Sequence, residues 1–165
     1  MQKCRLIAAT SYLFSTLFQS GLHAQNNLPL RNMPPKLGVL IESLPSVAQQ
    51  RAGLDQSQLR TDIELKLRLA GISVVTASGT TPYLYLNINC IETSVRGVAC
   101  SIDVRLSENV SLIHRTAPDT SIATTWEMGT LISTPQSGAS DYVRQSMKNL
   151  VDVFLNDYLS VNPRR

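Results

Sequence analysis

Two alternating runs on either side of a short polar turn constrain the fold of this chain more than any other feature. Residues 83–106 read YLYLNINCIETSVRGVACSIDVRL. Apolar side chains recur at every second position in both runs, as in strands that bury one face. A slip of one residue would mix apolar and polar faces, so the sequence predicts a β-hairpin of fixed register centred on Val95. The predicted pairs are Cys90 with Cys100, Ile88 with Ile102, Leu86 with Val104, and Leu84 with Leu106.

The first 24 residues have the pattern of a secretory signal peptide. Lys3 and Arg5 precede the mostly apolar stretch 6–18, and the small residue Ala24 closes the segment. The apolar run is too short for a membrane helix, which needs roughly 20 residues. We expect cleavage after Ala24 and export to the periplasm or the medium. An uncleaved anchor and an ordinary N-terminal helix are the alternatives.

The charge balance of the exported chain argues against a nucleic-acid partner. Without Lys3 and Arg5 the chain keeps 13 Lys and Arg against 12 Asp and Glu, and the basic residues are scattered. A net charge this small gives no long-range field that would attract nucleic acid. No transmembrane segment is expected after the signal is removed.

Two cysteines remain once Cys4 leaves with the signal, and both face the predicted core. An exported domain with two cysteines fits a single disulfide, here between Cys90 and Cys100. The alternative is a pair of buried free thiols, because directly opposed strand positions do not always meet disulfide geometry.

The rest of the chain alternates between strand and helix patterns. Asp55 and Gln58 form a capping-box-like start to a helix that Gly71 ends. A second amphipathic helix begins at residues 140–141 and ends at Asn162. The strand-like segments are 37–45, 72–76, the two hairpin strands and 121–133, with a bulge expected near Glu108 and Asn109.

These elements predict one globular domain, as the 43% hydrophobic and 16% charged residues also indicate. The order β-α-β-β-β-β-α predicts an α/β (α+β) two-layer sandwich, in which two helices cover one face of a mainly antiparallel sheet of about five strands. We divide the chain into the signal peptide at 1–24, an extended Pro-rich linker at 25–36 and the domain at 37–162. Only the link between the first two strands requires a crossover.

Motifs for catalysis, metals and cofactors are absent from the sequence. His114 is the one histidine of the exported chain, and there is no G-x-S-x-G elbow, no C-x-x-C pair and no phosphate-binding glycine loop. We therefore predict no catalytic residue, no metal and no cofactor. A small secreted hydrolase with an unrecognised acid/base pair stays open as an alternative, as does a ligand-binding module between helices and sheet.

The hairpin side that faces away from the predicted core is the candidate binding surface. Tyrosine and arginine beside small polar residues are common in protein interfaces. The alternative is an ordinary solvated sheet face, which has the same composition. The candidate residues are Tyr83, Tyr85, Asn87, Asn89, Asp103 and Arg105.

Several local patterns together resemble a group of small exported bacterial domains. They are the exported start, the strand IESLP, the helix end ELKLRLAGI followed by VV, the hairpin and the terminal amphipathic helix, over Leu37 to Val161. The group includes the N-terminal domain of the TolB translocation protein and related domains of the curli-secretion lipoprotein and of lipoprotein activators of cell-wall synthases.

The resemblance implies a non-catalytic role through protein–protein contacts in the cell envelope. This chain departs from the group because it has no lipid-acceptor cysteine, no propeller and no pore segment, so no functional residue is carried over. We expect an assembly or accessory role with an envelope protein as partner.

Overall fold

The structure is a computed structural model that describes residues 28–77, 81–93, 96–114 and 120–163. The predicted signal peptide, 1–24, lies outside these residues. A 3-10 helix at Leu28–Leu30 precedes the main elements. These are β1 (Lys36–Ile41), α1 (Ser46–Gln50), α2 (Gln56–Leu69), β2 (Ser73–Val75), β3 (Tyr83–Thr93), β4 (Gly97–Ser111), β5 (Thr120–Pro135) and α3 (Ala139–Val161).

The five strands form one sheet in the order β2-β1-β3-β4-β5, which confirms the α/β sandwich. The long strands β3, β4 and β5 pair antiparallel, and β1 pairs parallel with both β2 and β3. Helices α2 and α3 pack on one face through Leu59, Ile63, Met147 and Phe154, which are buried. The short helix α1 was not predicted.

The link from β2 to β3 is a second crossover, which corrects the expectation of only one. β2 ends opposite Gly38, and β3 begins opposite the same residue on the other side of β1. The chain therefore passes over β1 at Gly38. A Cβ atom at Gly38 would lie 2.9 Å from the Ala77 Cα and 3.1 Å from the Tyr83 Cβ, so glycine is required for this close approach.

The hairpin has the predicted register. All four predicted pairs are present, from Leu84 opposite Leu106 to Cys90 opposite Cys100. The two cysteines are joined in a disulfide, with their Cα atoms 4.1 Å apart. This short separation is typical of antiparallel pairs that do not exchange backbone hydrogen bonds.

A bulge is present close to the predicted position, but its extra residue belongs to the partner strand. It falls between Leu106 and Ser107, opposite an extra residue, Thr125, in β5. Glu108, where the bulge was expected, accepts a hydrogen bond from the Thr125 side chain at 2.5 Å. The polar pair Glu108-Asn109 is thus accommodated within a regular strand, and the irregularity belongs to the partner strand.

Both long helices begin at residues that fix their first turn. The Asp55 carboxylate accepts hydrogen bonds from the Ser57 hydroxyl and from the backbone N–H groups of Ser57 and Gln58, the last two at 2.7 and 3.0 Å. The hydroxyl contributes most, and all three hydrogen bonds lower the pKa of Asp55. Gly138 supplies a left-handed residue before α3, with φ at 80°.

Two ion pairs join α2 to α3. Arg144 donates from Nε and Nη2 to Asp62 at 3.0 and 2.8 Å, and Lys66 pairs with Asp152 at 2.5 Å. Charges on the helix faces therefore connect the two helices instead of all facing solvent.

The part of the predicted linker that the structure describes packs against the domain. Leu30 is fully buried and Met33 nearly so. The Asn162 side-chain amide donates to the Leu30 carbonyl oxygen at 2.7 Å, and its Oδ1 accepts from the Asn32 N–H at 2.9 Å. The end of α3 thus holds this segment in place. Among the described residues, no helix is both long and apolar enough to cross a membrane.

Candidate protein-binding face

The register brings all six predicted site residues together on the side of the sheet opposite α2 and α3. Tyr85 stands opposite Arg105, and Asn87 stands opposite Asp103. We call this side the helix-free face. Along β3, β4 and β5 it consists of Tyr83, Tyr85, Asn87, Asn89, Ile91, Ala99, Ser101, Asp103, Arg105, Glu127, Gly129, Leu131 and Ser133, with Leu40 of β1 beside Tyr85.

Hydrogen bonds between neighbouring side chains order the centre of the helix-free face. The Asn89 amide donates to Asn87 Oδ1 at 3.1 Å, and the Ser101 hydroxyl donates to Asp103 Oδ2 at 3.3 Å. The first hydrogen bond is exposed and the second is partly buried, and both leave further donors and acceptors of the same groups available to a partner.

Arg105 and Glu127 extend this polar centre onto β5. Their side chains form a loose ion pair with a separation of 3.8 Å, and both are substantially exposed. An exposed pair of this kind contributes at most about 1 kcal/mol to stability. The guanidinium can therefore exchange this partner for a carboxylate of another protein at small cost.

Tyr85 is held in one orientation at the boundary between β3 and β1. Its hydroxyl donates a hydrogen bond to the Glu42 carboxylate, just beyond the end of β1. This hydrogen bond raises the pKa of Tyr85 above its ordinary value, and the effect of burial is smaller. Because the ring is fixed, little side-chain entropy would be lost when a partner packs on it.

Three aliphatic residues of the helix-free face were missed by the sequence reasoning. Ile91 is 67% exposed, Leu131 is 77% exposed and Leu40 is partly exposed. Ile91 continues the alternation of the tyrosines along β3, so its position was available from the sequence pattern. The position of Leu131 could not be read from the sequence, because its face depends on how β5 aligns with β4 beyond the bulge.

Four clefts of the described chain bring no two carboxylates together. The cleft of about 600 Å³ beside Met33 and Tyr158 has no carboxylate in its lining. The other three clefts contribute one carboxylate each, and each already has a partner within the chain: Asp55 caps α2, Glu92 pairs with Arg51 and Glu64 pairs with Arg68. Glycoside hydrolysis by two carboxylates needs both on facing walls of one cleft.

Metal-type side chains are likewise dispersed in the described ranges, where no group of three or more His, Cys, Asp and Glu comes together. His114 is exposed beyond the end of β4. Trp126 is buried on the helix side, with its ring 5.2 Å from Phe154 and its Nε1 donating to Asp157 at 2.9 Å. It is a core residue and takes no part in the helix-free face.

Comparisons with known proteins identify similar solved structures but no protein family. No protein-family model matches the sequence, and no curated protein matches it. Among solved structures, rare lipoprotein B from Shewanella oneidensis is 14% identical, with 76% of this chain and 91% of that chain covered and a TM-score of 0.31. A minor lipoprotein from Acinetobacter baumannii is 9% identical, with 74% and 85% covered and a TM-score of 0.29.

Likenesses at this level carry no argument about function. The two neighbours are bacterial lipoproteins. Neither name is TolB, the curli-secretion lipoprotein or a synthase activator, so the resemblance to that group stays a prediction.

Proposed function

We propose that this protein is an exported, non-catalytic domain of the cell envelope that binds another envelope protein through its helix-free face. One observation carries the proposal: exposed aliphatic side chains share a single face with Arg105 and with Tyr85, whose ring is held by Glu42. Ordinary solvated sheet faces alternate polar residues outward, so Ile91 and Leu131 at this degree of exposure favour an interface.

The chemistry of the helix-free face indicates the class of partner. Tyrosine and arginine are enriched among the residues that dominate protein–protein binding energy. Exposed aliphatic groups at Leu40, Ile91 and Leu131 surround the polar centre formed by Asn87 and Asp103. A flat protein surface with apolar and amide groups is complementary to this arrangement.

The signal-like start supports the location of that partner in the envelope. Residues 1–24 have the basic, apolar and small-residue order of an export signal. The disulfide between Cys90 and Cys100 is compatible with an oxidising compartment. We therefore place the contact outside the cytoplasm.

Affinity capture with matched variants tests this proposal. The protein is produced in its native host with a C-terminal tag, as wild type, Ile91→Asp and Leu65→Asp. Leu65 lies on α2 and is 54% exposed, so it receives the same change at similar exposure outside the helix-free face. We expect Ile91→Asp to lose an envelope protein that wild type and Leu65→Asp both retain.

Two outcomes would contradict the proposal. One is that Ile91→Asp captures the same proteins as Leu65→Asp. The other is that wild type enriches no envelope protein while it hydrolyses a generic ester or glycoside, which would favour the hydrolase. Circular dichroism of all three proteins confirms that the comparison is made between folded chains.

A further inference from the structure

In the part of the chain that the structure describes, the outer edge of β5 is open along a stretch that lies between two irregularities. β5 pairs only with β4 among the described strands, so it forms one edge of the sheet. The bulge at Thr125 and the proline at Pro135 enclose the regular stretch 126–134. The 3-10 helix also contacts β5. It is held by Asn162, which follows the end of α3, and Asp157 in that last part of α3 binds Trp126.

One hydrogen bond shows which backbone groups of β5 point away from β4. The Gln136 N–H donates to the Arg96 carbonyl oxygen, so Gly97 and Pro135 form a pair that does not exchange hydrogen bonds. Pair types alternate along an antiparallel ladder. Gly129, Leu131 and Ser133 therefore direct their N–H and C=O groups outward, in the geometry that accepts another strand.

β5 also has few of the features that protect sheet edges. Edge strands usually carry charged residues, proline or bulges, or are very short. β5 spans Thr120 to Pro135, and within it Glu127 is the single charged residue. The bulge and the proline lie at the two ends of the open stretch, and between them the strand is regular.

We propose that β5 pairs antiparallel with β5 of a second copy of this chain, about a twofold axis at Leu131. This dimer contact goes beyond the proposed function, because it uses the sheet edge and leaves most of the helix-free face available. In this register Gly129 of one copy exchanges hydrogen bonds with Ser133 of the other. Leu131 of one copy exchanges hydrogen bonds with Leu131 of the other.

The strand is self-complementary in this register on both faces. On the helix-free face the two copies of Leu131, each 77% exposed, contact one another. On the helix side, Thr130 lies opposite Ile132, and Met128 lies opposite Thr134. Met128 and Ile132 are only partly buried in the monomer, so the second copy covers apolar surface that remains exposed there.

Charge favours a second copy over a strongly charged partner strand. In the register centred on Leu131, Glu127 lies opposite Pro135, so the two Glu127 carboxylates do not face each other. A strand with one charge along its edge offers little to attract a basic or acidic peptide. Because this edge carries only one charge, little electrostatic repulsion opposes its pairing with a second copy.

Sedimentation velocity on the purified full-length exported chain, from micromolar to millimolar concentration, tests the proposal with two variant pairs. Ser133→Pro removes an outward N–H that β4 does not use, and Ser133→Ala keeps it. Leu131→Lys places two charges at the twofold axis, and Ile122→Lys makes the same change on β5 outside the open stretch. Thermal unfolding by circular dichroism confirms that each variant folds.

We expect the wild type, Ser133→Ala and Ile122→Lys to reach twice the monomer mass. Ser133→Pro and Leu131→Lys are expected to lose this twofold mass at the same concentrations. A wild-type chain that stays monomeric over the whole range overturns the proposal, and so does a folded Ser133→Pro that dimerises as well as Ser133→Ala. Because Ile91 lies on β3, the capture experiment with Ile91→Asp can fail or succeed independently of this one.

Discussion

The two edges of the sheet differ in whether side chains bind the backbone groups that point out of the sheet. At the β2 edge, β2 pairs only with the first half of β1, so β1 would expose backbone groups beyond Gly38. Side chains from α2 cover them. Arg60 donates to the Val39 carbonyl oxygen at 2.9 Å, and Gln56 donates to the Ile41 carbonyl oxygen, also at 2.9 Å.

At the β5 edge no such side-chain donors are present in the described residues for the stretch around Leu131. The strand is long and regular there, and its outward groups alternate with those bound by β4. A sheet edge can be closed by side chains, by water or by another strand. Two carbonyl oxygens at the β2 edge thus have side-chain donors, whereas the outward groups around Leu131 have none among the described residues.

Within the β2 edge, the crossover at Gly38 is where we expect a substitution to lower the free energy of unfolding most. Gly38→Val places a side chain where the backbone of Ala77 passes, so we expect a loss of about 3 kcal/mol in the free energy of unfolding. Gly129→Ala, on the β5 side, is the control. Its Cβ meets the flexible Asp103 carboxylate at 2.6 Å, and we expect a loss of less than about 1 kcal/mol.

Urea unfolding of both variants gives these free energies. Equal losses would contradict the account, because they would mean that the crossover does not approach β1 closely.

The disulfide lies in the hairpin between the two edges and should stabilise both. Reduction releases a short loop between Cys90 and Cys100, so we expect the free energy of unfolding to fall by about 2–3 kcal/mol. Chemical unfolding with and without reductant measures the fall. Intact mass under the same two conditions should differ by two hydrogens, and an unchanged mass would mean two free thiols.

Removal of one side-chain cap should weaken the β2 edge moderately. Arg60→Met keeps an apolar stem but leaves the Val39 carbonyl oxygen without its donor, and we expect a loss of about 1 kcal/mol. Arg68→Met is the matched control, because Arg68 lies on the same helix and pairs at the surface with Glu64. A loss for Arg68→Met that equals or exceeds the loss for Arg60→Met would show that the cap has no particular role.

The hydrogen bond from Tyr85 to Glu42 predicts a small dependence of stability on alkaline pH. A folded pKa raised above the unfolded one means that this contribution is complete below the unfolded value of about 10 and disappears as pH rises through the folded value. Melting temperatures across this range should fall more steeply for wild type than for Tyr85→Phe. Parallel curves would contradict the assigned cause of the shift.

Local signals in the sequence were sufficient for the strands, for the two long helices and for the hairpin, but not for the short helix α1. Asp55 caps its helix as predicted, and the four hairpin pairs follow from the alternation of apolar residues. The six candidate residues share a face for the same reason. Whether they bind a partner stays a prediction, because solvated faces and interfaces have similar compositions.

Features that depend on pairing between distant segments could not be predicted from the sequence. Parallel pairing of β1 with β3 places the crossover over Gly38, and nothing local to that glycine indicates which chain segment approaches it. Thr125 became the bulge because β4 and β5 align over their full length, which single-strand patterns do not specify. The exposure of Leu131 follows from that alignment.

Residue-resolved amide hydrogen exchange at two protein concentrations tests the difference between the edges most directly. At low concentration we predict fast exchange at Gly129, Leu131 and Ser133 and slow exchange at Thr130 and Ile132, which bond to β4. At high concentration the three fast amides should become slow, while the amides of Val39 and Ile41 do not change. If Gly129, Leu131 and Ser133 exchange at the same rate at both concentrations, β5 does not pair with a second copy.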